Sequence, residues 1–215
     1  MTTTTVHLVR HGEVNNPDRI LYGRMPGYRL SERGEQMAQC VGDHLADRDI
    51  ALVRSSPLLR AQQTAAPIAA AHQLPVSTDQ RLIESGNRFE GQRMGHGDAK
   101  LSDPRNWRWF LNPLRPSWGE PYREQVARVT EAVHQARAEA EGYEAVLVLH
   151  QLPIWLVRRS AEGKPLPHDP RRRQCSLCSV TSFRFVGPHL SGVDYAEPAA
   201  HLVAGAVDAT GGKLT

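Results

Sequence analysis

Cysteine, aromatic residues and long apolar runs are all scarce in this chain. Its three cysteines, Cys40, Cys175 and Cys178, are too few for a disulfide framework, which removes the class of small stapled secreted domains. The C-x-x-C at Cys175 and Cys178 has no second pair and so does not read as a zinc site. Aromatics make up 6% of residues, and 26 basic side chains face 23 acidic ones. Arginines cluster only at Arg158-Arg159 and Arg171-Arg172-Arg173. A nucleic-acid surface with interleaved bases and rings is therefore not expected, while the mild cationic surplus suits a small anionic substrate. The longest apolar stretch, 143–157, is broken by Glu144, His150 and Gln151, too early for a membrane span. Met1 and four threonines lack the basic start and apolar core of an export signal. The expectation is a soluble cytoplasmic protein with neither a membrane nor a nucleic acid as partner, and with homodimer and monomer both open.

What the chain does have is an alternation of short apolar runs with amphipathic stretches, 40% apolar over 215 residues. Length and composition suit one domain spanning 1–215. Strands are expected at 6–9, 50–53, 76–83 and 145–149, with a closing hairpin at 180–186 and 192–195. Helices are expected from Ser31, from Ser56-Pro57 into 58–71 with a capping hydroxyl, from Pro121 to near Gly142, and over 153–161. Residues 85–119 are rich in glycine and proline and hold three of the four tryptophans, so they read as an inserted loop-rich cap. From Gly205 onward the chain reads as a loose tail. Strands alternating with helices imply an α/β fold, a three-layer sandwich with a mostly parallel central sheet flanked by helices.

Chemistry-bearing residues gather at the ends of these runs. Val6-His7-Leu8-Val9 delivers Arg10 and His11 onto a turn at Gly12; the second unit delivers Arg60 in the first turn of a helix; Leu82-Ile83 delivers Glu84; the strand over 145–149 delivers His150. Ligands of open parallel sheets bind at such carboxyl ends. Two arginines, two histidines and a carboxylate at one sheet edge suit phosphoryl transfer. A neutral imidazole attacks phosphorus, a second and cationic one holds a phosphate oxygen, guanidiniums offset the oxygen charge, and a carboxylic acid protonates the leaving alcohol. This design calls for no metal and no cofactor.

The motifs carrying the pattern are Arg10-His11-Gly12-Glu13, Leu30-Ser31-Glu32-Arg33-Gly34, Ser56-Pro57-Leu58-Leu59-Arg60-Ala61-Gln62-Gln63-Thr64-Ala65, Arg81-Leu82-Ile83-Glu84, Gly119-Glu120 and the strand before His150. Together they make the chain resemble the histidine phosphatase superfamily, which includes the cofactor-dependent phosphoglycerate mutases. The resemblance implies a phosphoglycerate mutase-like fold, His11 as the phosphorylated nucleophile, Arg10, Arg60 and His150 as the phosphate pocket, and Glu84 as proton donor.

The chain departs from the family pattern in two places. An asparagine is usual six residues after the nucleophile, where Pro17 stands, leaving Asn16 as a candidate substrate contact. Glycine is usual after the second histidine, where Gln151 stands and crowds or bonds the phosphate site. Glu84 is followed by Ser85-Gly86-Asn87 rather than by the Arg-x-Tyr-Gly of mutases, so the resemblance favours the phosphatase branch and a small phosphorylated metabolite. Mutase-like transfer and a non-catalytic phosphoester-binding protein are the alternatives. In the cap, Arg88 and Arg93 are candidates for a second anionic group, Trp107, Trp109, Phe110 and Trp118 with Arg105, Arg108 and Arg115 for a rim. Arg171 to Arg173 read as a solvated basic run.

Overall fold

Strand β1 (Thr3–Arg10) runs through the centre of a six-stranded sheet. The structure, a computed structural model, describes residues 2–93, 119–204 and 206. The remaining elements are α1 (Glu32–Leu45), β2 (Ile50–Ser55), α2 (Leu59–Ala71), β3 (Val76–Thr78), α3 (Tyr122–Glu139), β4 (Glu144–Leu149), α4 (Gln151–Ala161), β5 (Val180–Val186), β6 (His189–Ala196) and the short α5 (Ala200–Val203). The sheet order is β3-β2-β4-β1-β5-β6. Pairings from β3 to β1 are parallel; β5 and β6 add an antiparallel hairpin beside β1.

Helices cover both faces, which is why β4 is a continuous apolar run rather than an alternating one. Ala145 to Leu149 are all fully buried. Val146 and Val148 join Val9, Met37, Val41, Ala61, Ala65 and Ile68 on the α1–α2 side. Ala145, Leu147 and Leu149 join Val6, Leu8, Val129, Val133, Ile154 and Val157 on the α3–α4 side. The three-layer α/β expectation holds. No helix among the described residues is long and apolar enough to cross a membrane.

Two local expectations are corrected. Helix α2 starts at Leu59 with Leu58 as its cap, not at Pro57, and no side chain caps it; Ser56 Oγ instead lies 2.8 Å from His150 Nε2. The third strand stops at Thr78 rather than running to 83, because Asp79 accepts from the Arg81 N–H and caps a single 3₁₀ turn over Gln80–Leu82. Glu84 therefore follows a turn, not a strand. Of the expected tail only Ala206 is described, buried in the α1–α2 core; the rest lies outside the described residues. Within the expected cap, Asn87 bridges Gly119, and residues 91–93 pair with the loop at Ile20 and Leu21. Residues 94–118, with all the proposed rim side chains, lie outside the described residues.

At the opposite end of the strand from His150, Glu144 fastens the start of β4. Burial pushes its carboxyl up, but hydrogen bonds from His7 and Arg48 win and bring it down to about 2. A carboxylate held below its free value of 4.5 adds stability above about 4.5 that is lost as pH falls toward about 2. Glu144→Gln is expected to cost about 1–3 kcal/mol near pH 7. Urea melts should show that gap shrinking steadily once the pH drops below about 4.

Candidate active site

The carboxyl ends of β2, β4 and β1, three neighbours in the sheet, bring the chemistry together. The ladders continue one residue beyond each strand: the His11 N–H donates to the Leu149 carbonyl at 3.1 Å and the Ser56 N–H to the Val148 carbonyl at 2.8 Å. These bonds fix His11, Ser56 and His150 side by side. Gly12 then lets the chain turn against the first turn of α1. A Cβ on Gly12 would stand 2.6 Å from the Gly34 carbonyl oxygen, and one on Gly34 would run into the Glu13 carbonyl. Only glycine permits that approach at both positions. Ser31 caps α1 by accepting from the Gly34 N–H and donates its own proton to Glu13. Thr64 closes the frame, accepting from the Gly12 N–H at 3.1 Å and donating to the Arg60 carbonyl at 2.8 Å. The motifs around Gly34 and Thr64 thus hold the His11 turn in place.

The His11 tautomer follows from its contacts. Nδ1 lies 2.8 Å from the Gly12 carbonyl oxygen, which can only accept, so Nδ1 carries the proton. Nε2 is left with its lone pair, and the Arg60 Nε–H points at it from 3.3 Å. Burial, then Arg60 and Arg10, hold the His11 imidazole well below its usual value. It is a neutral ring whose unprotonated nitrogen accepts from a guanidinium. The His150 ring meets it edge-on with centroids 5.1 Å apart.

Arg60 is fully buried. Its Nη2 donates to the Gly23 carbonyl at 2.7 Å and lies 3.4 Å from His150 Nδ1, and its plane sits 4.7 Å from the centre of the Tyr22 ring. Nη1 is buried with no hydrogen-bond partner among the described residues. A buried donor left so costs about 1–3 kcal/mol unless a ligand accepts from it. Arg10 donates from Nη1 to the Cys175 carbonyl at 2.7 Å.

His150 is neutral as well: burial, then Arg60, His11, Arg128 and Arg10, hold it well below the usual imidazole range. With Nδ1 accepting from Arg60, Nε2 donates to Ser56 Oγ. Without a ligand, burial first and then the surrounding guanidiniums disfavour a proton on this second imidazole.

Glu84 Oε2 lies 3.8 Å from His150 Nδ1, and its Oε1 accepts the Ser85 N–H at 2.7 Å. Burial raises the carboxyl above its usual range, against the pull of that N–H and of Arg60, Arg10 and Arg173. Its backbone is pinned by Arg24, which donates to the Glu84 carbonyl at 2.6 Å and to Glu120 at 2.8 Å. Glu120 is in turn gripped by two bonds from Arg128.

Of the nine predicted residues, Arg10, His11, Arg60, Glu84 and His150 are brought together. Gln151 borders them, bonding the Cys175 carbonyl from Nε2. Asn16 is spent on its own loop, with both ends of its amide bonded to Ile20. Arg88 is exposed, and Arg93 is exposed and pairs with Asp18. Sequence reasoning missed Ser56, Tyr22 and Arg24 as neighbours of the site. The basic run divides: Arg171 and Arg172 are exposed as expected, while Arg173 turns inward to Gln151 at 3.3 Å. Among the described residues, no group of three or more His, Cys, Asp or Glu is arranged to hold a metal.

Known proteins resemble this chain in sequence and in fold. An uncharacterized protein of Mycobacterium tuberculosis, Rv0525, is 57% identical over 197 residues, covering 92% of this chain and 98% of its own. An Enterobacter protein named "Probable phosphoglycerate mutase GpmB" is 30% identical over 212 residues, covering 94% and 97%. The solved structure of Bacillus stearothermophilus YhfR matches with a TM-score of 0.78 at 27% identity, covering 93% and 99%. At 22% identity, the mycobacterial glucosyl-3-phosphoglycerate phosphatase Rv2419c shares the fold, with a TM-score of 0.71 over 90% of this chain and 96% of its own. The family model of the histidine phosphatase superfamily (branch 1) matches residues 6–196. That span takes in every group just placed, from Arg10 to Arg173, and by it the chain belongs to the histidine phosphatase superfamily, branch 1.

Proposed function

We propose that the protein is a metal-independent phosphomonoesterase that hydrolyses a small phosphate ester through a phosphohistidine on His11. The observation that carries the reading is the unprotonated Nε2 of His11, its tautomer fixed by the Gly12 carbonyl at Nδ1 and its lone pair met by Arg60. In the first step Nε2 attacks phosphorus while the bond to the ester oxygen breaks, and Glu84 gives its proton to the departing alcohol. In the second, water attacks the phosphohistidine, Glu84 takes its proton back, the P–N bond breaks and inorganic phosphate leaves. Arg10 and Arg60 meet the phosphoryl oxygens, with the unpartnered Nη1 of Arg60 as one donor. A phosphate dianion reverses the local electrostatics and draws a proton onto His150, whose Nδ1 then donates to an oxygen.

The guanidiniums supply the positive charge that a metal supplies elsewhere. Turnover of p-nitrophenyl phosphate is therefore expected to persist in excess EDTA. Loss of all turnover on chelation, restored by one divalent cation, would overturn the metal-independent reading.

The relative named as a phosphoglycerate mutase defines the competing outcome, transfer to a second substrate hydroxyl. The Ser85-Gly86-Asn87 sequence after Glu84 supports discharge to water instead. With 2- and 3-phosphoglycerate, phosphate release is expected to outpace interconversion of the isomers. Faster interconversion would assign the mutase reaction.

A further inference from the structure

Arg173 is one of several partly buried arginines held by neutral groups, as Arg137 is by the Gly187 carbonyl and Arg159 by the Pro165 carbonyl, whereas others pair with carboxylates. Arg54 pairs with Glu139, Arg81 with Asp79 and Arg128 with Glu120, and the neighbouring Arg171 pairs with Asp169. Arg173 is half-buried, yet both of its partners are neutral. Its Nε donates to His168 Nε2 at 2.9 Å and its Nη1 to Gln151 Oε1 at 3.3 Å. His168 Nδ1 lies 2.7 Å from the Leu166 carbonyl and so carries the ring proton, leaving Nε2 free to accept. The His168 ring is wedged between Tyr122 and Trp155, at centroid distances of 5.9 and 6.0 Å. The guanidinium is thus oriented by a built scaffold that cancels none of its charge.

Its position is tied to the pocket. Gln151 bonds Arg173 with one end of its amide and the Cys175 carbonyl with the other, and that carbonyl also receives Arg10. Arg173 bears electrostatically on Glu84, the group placed at the leaving oxygen. Arg60, in contrast, faces His11 Nε2 directly. A planar fork of donors without a carboxylate partner suits bidentate capture of a carboxylate or phosphate.

We propose that Arg173, braced by His168 and Gln151, is a subsite for a second anionic group, so that the preferred substrates are phosphomonoesters whose leaving portion carries a carboxylate or another phosphate. This rests on the phosphate pocket of the proposed function, but its test does not need turnover. Three non-hydrolysable ligands separate the cases: propylphosphonate, 3-phosphonopropionate and propane-1,3-bisphosphonate, titrated calorimetrically. The wild-type protein is expected to bind one or both anionic-tailed ligands at least ~10-fold tighter than propylphosphonate. The tighter of the two identifies the second group. In Arg173→Gln that preference collapses toward unity, and Arg173→Lys recovers only part of it because the fork is lost. Equal binding of all three ligands by the wild type overturns the proposal, whether or not the variants fold. So does a preference that survives intact in a folded Arg173→Gln. Failure of the phosphatase reading would show separately, as absent hydrolysis of p-nitrophenyl phosphate.

Discussion

Replacing His11 by alanine should lower kcat on p-nitrophenyl phosphate by at least ~10⁴-fold while the protein stays folded and still binds inorganic phosphate. The loss is large because no other side chain can form the P–N bond. His150 lies close, but its Nε2 carries the proton donated to Ser56 Oγ, and its Nδ1 stands between Arg60 at 3.4 Å and the Glu84 carboxyl at 3.8 Å. Phosphate binding survives because Arg10 and Arg60 keep their own anchors, the Cys175 and Gly23 carbonyls. The expected signature is therefore a collapse in kcat with a modest change in KM. A variant that turns over at a tenth of the wild-type rate would remove the covalent mechanism.

Glu84→Gln should be the next most damaging change, with a cost that depends on the leaving group. An alkyl alcohol is a poor leaving group without a proton, so alkyl phosphates should slow by ~10²–10⁴-fold. Nitrophenolate leaves readily without one, and its ester should slow far less. The pH dependence follows from the same residue. In the proposed mechanism Glu84 acts first as an acid and must be protonated, and its carboxyl lies above the usual range because burial outweighs the opposing N–H and guanidiniums. Raising the pH through that value removes the proton and lowers kcat/KM, giving an alkaline limb. His11 must be neutral, and burial with Arg60 and Arg10 keeps it so down to well below the usual imidazole value. In Glu84→Gln the alkaline limb disappears while the acid limb remains. An unchanged alkaline limb in the variant would assign it to another group.

Much of this site was legible in the sequence because its chemistry sits where apolar strands end. The run from Val6 to Val9 is buried between layers, so the first polar residues after it must emerge at the sheet edge, and the same holds for His150 after Leu149. Strand order was not legible, since nothing local says that β4 lies between β1 and β2. Glu84 was found for an incomplete reason: Leu82-Ile83 has strand character, but the Asp79–Arg81 clamp turns the chain first. Ser56 looked like a helix cap because a serine before proline commonly is one, and only the arrival of His150, 94 residues later, gives its hydroxyl another partner. Arg173 could not be told from Arg171 and Arg172 by residue type. Its distinction comes from His168, Gln151 and the aromatic rings behind them, a tertiary context that no spacing rule encodes.

The central claim is a phosphoryl group carried on Nε2 of His11. Its most direct measurement is a base quench of the enzyme during turnover of a good phosphate ester, followed by peptide mass spectrometry. The account predicts one acid-labile, base-stable phosphoryl group on the peptide containing His11, and none on Ser56 or His150. Steady turnover with no phosphorylated peptide, or with the label on any other residue, would contradict it.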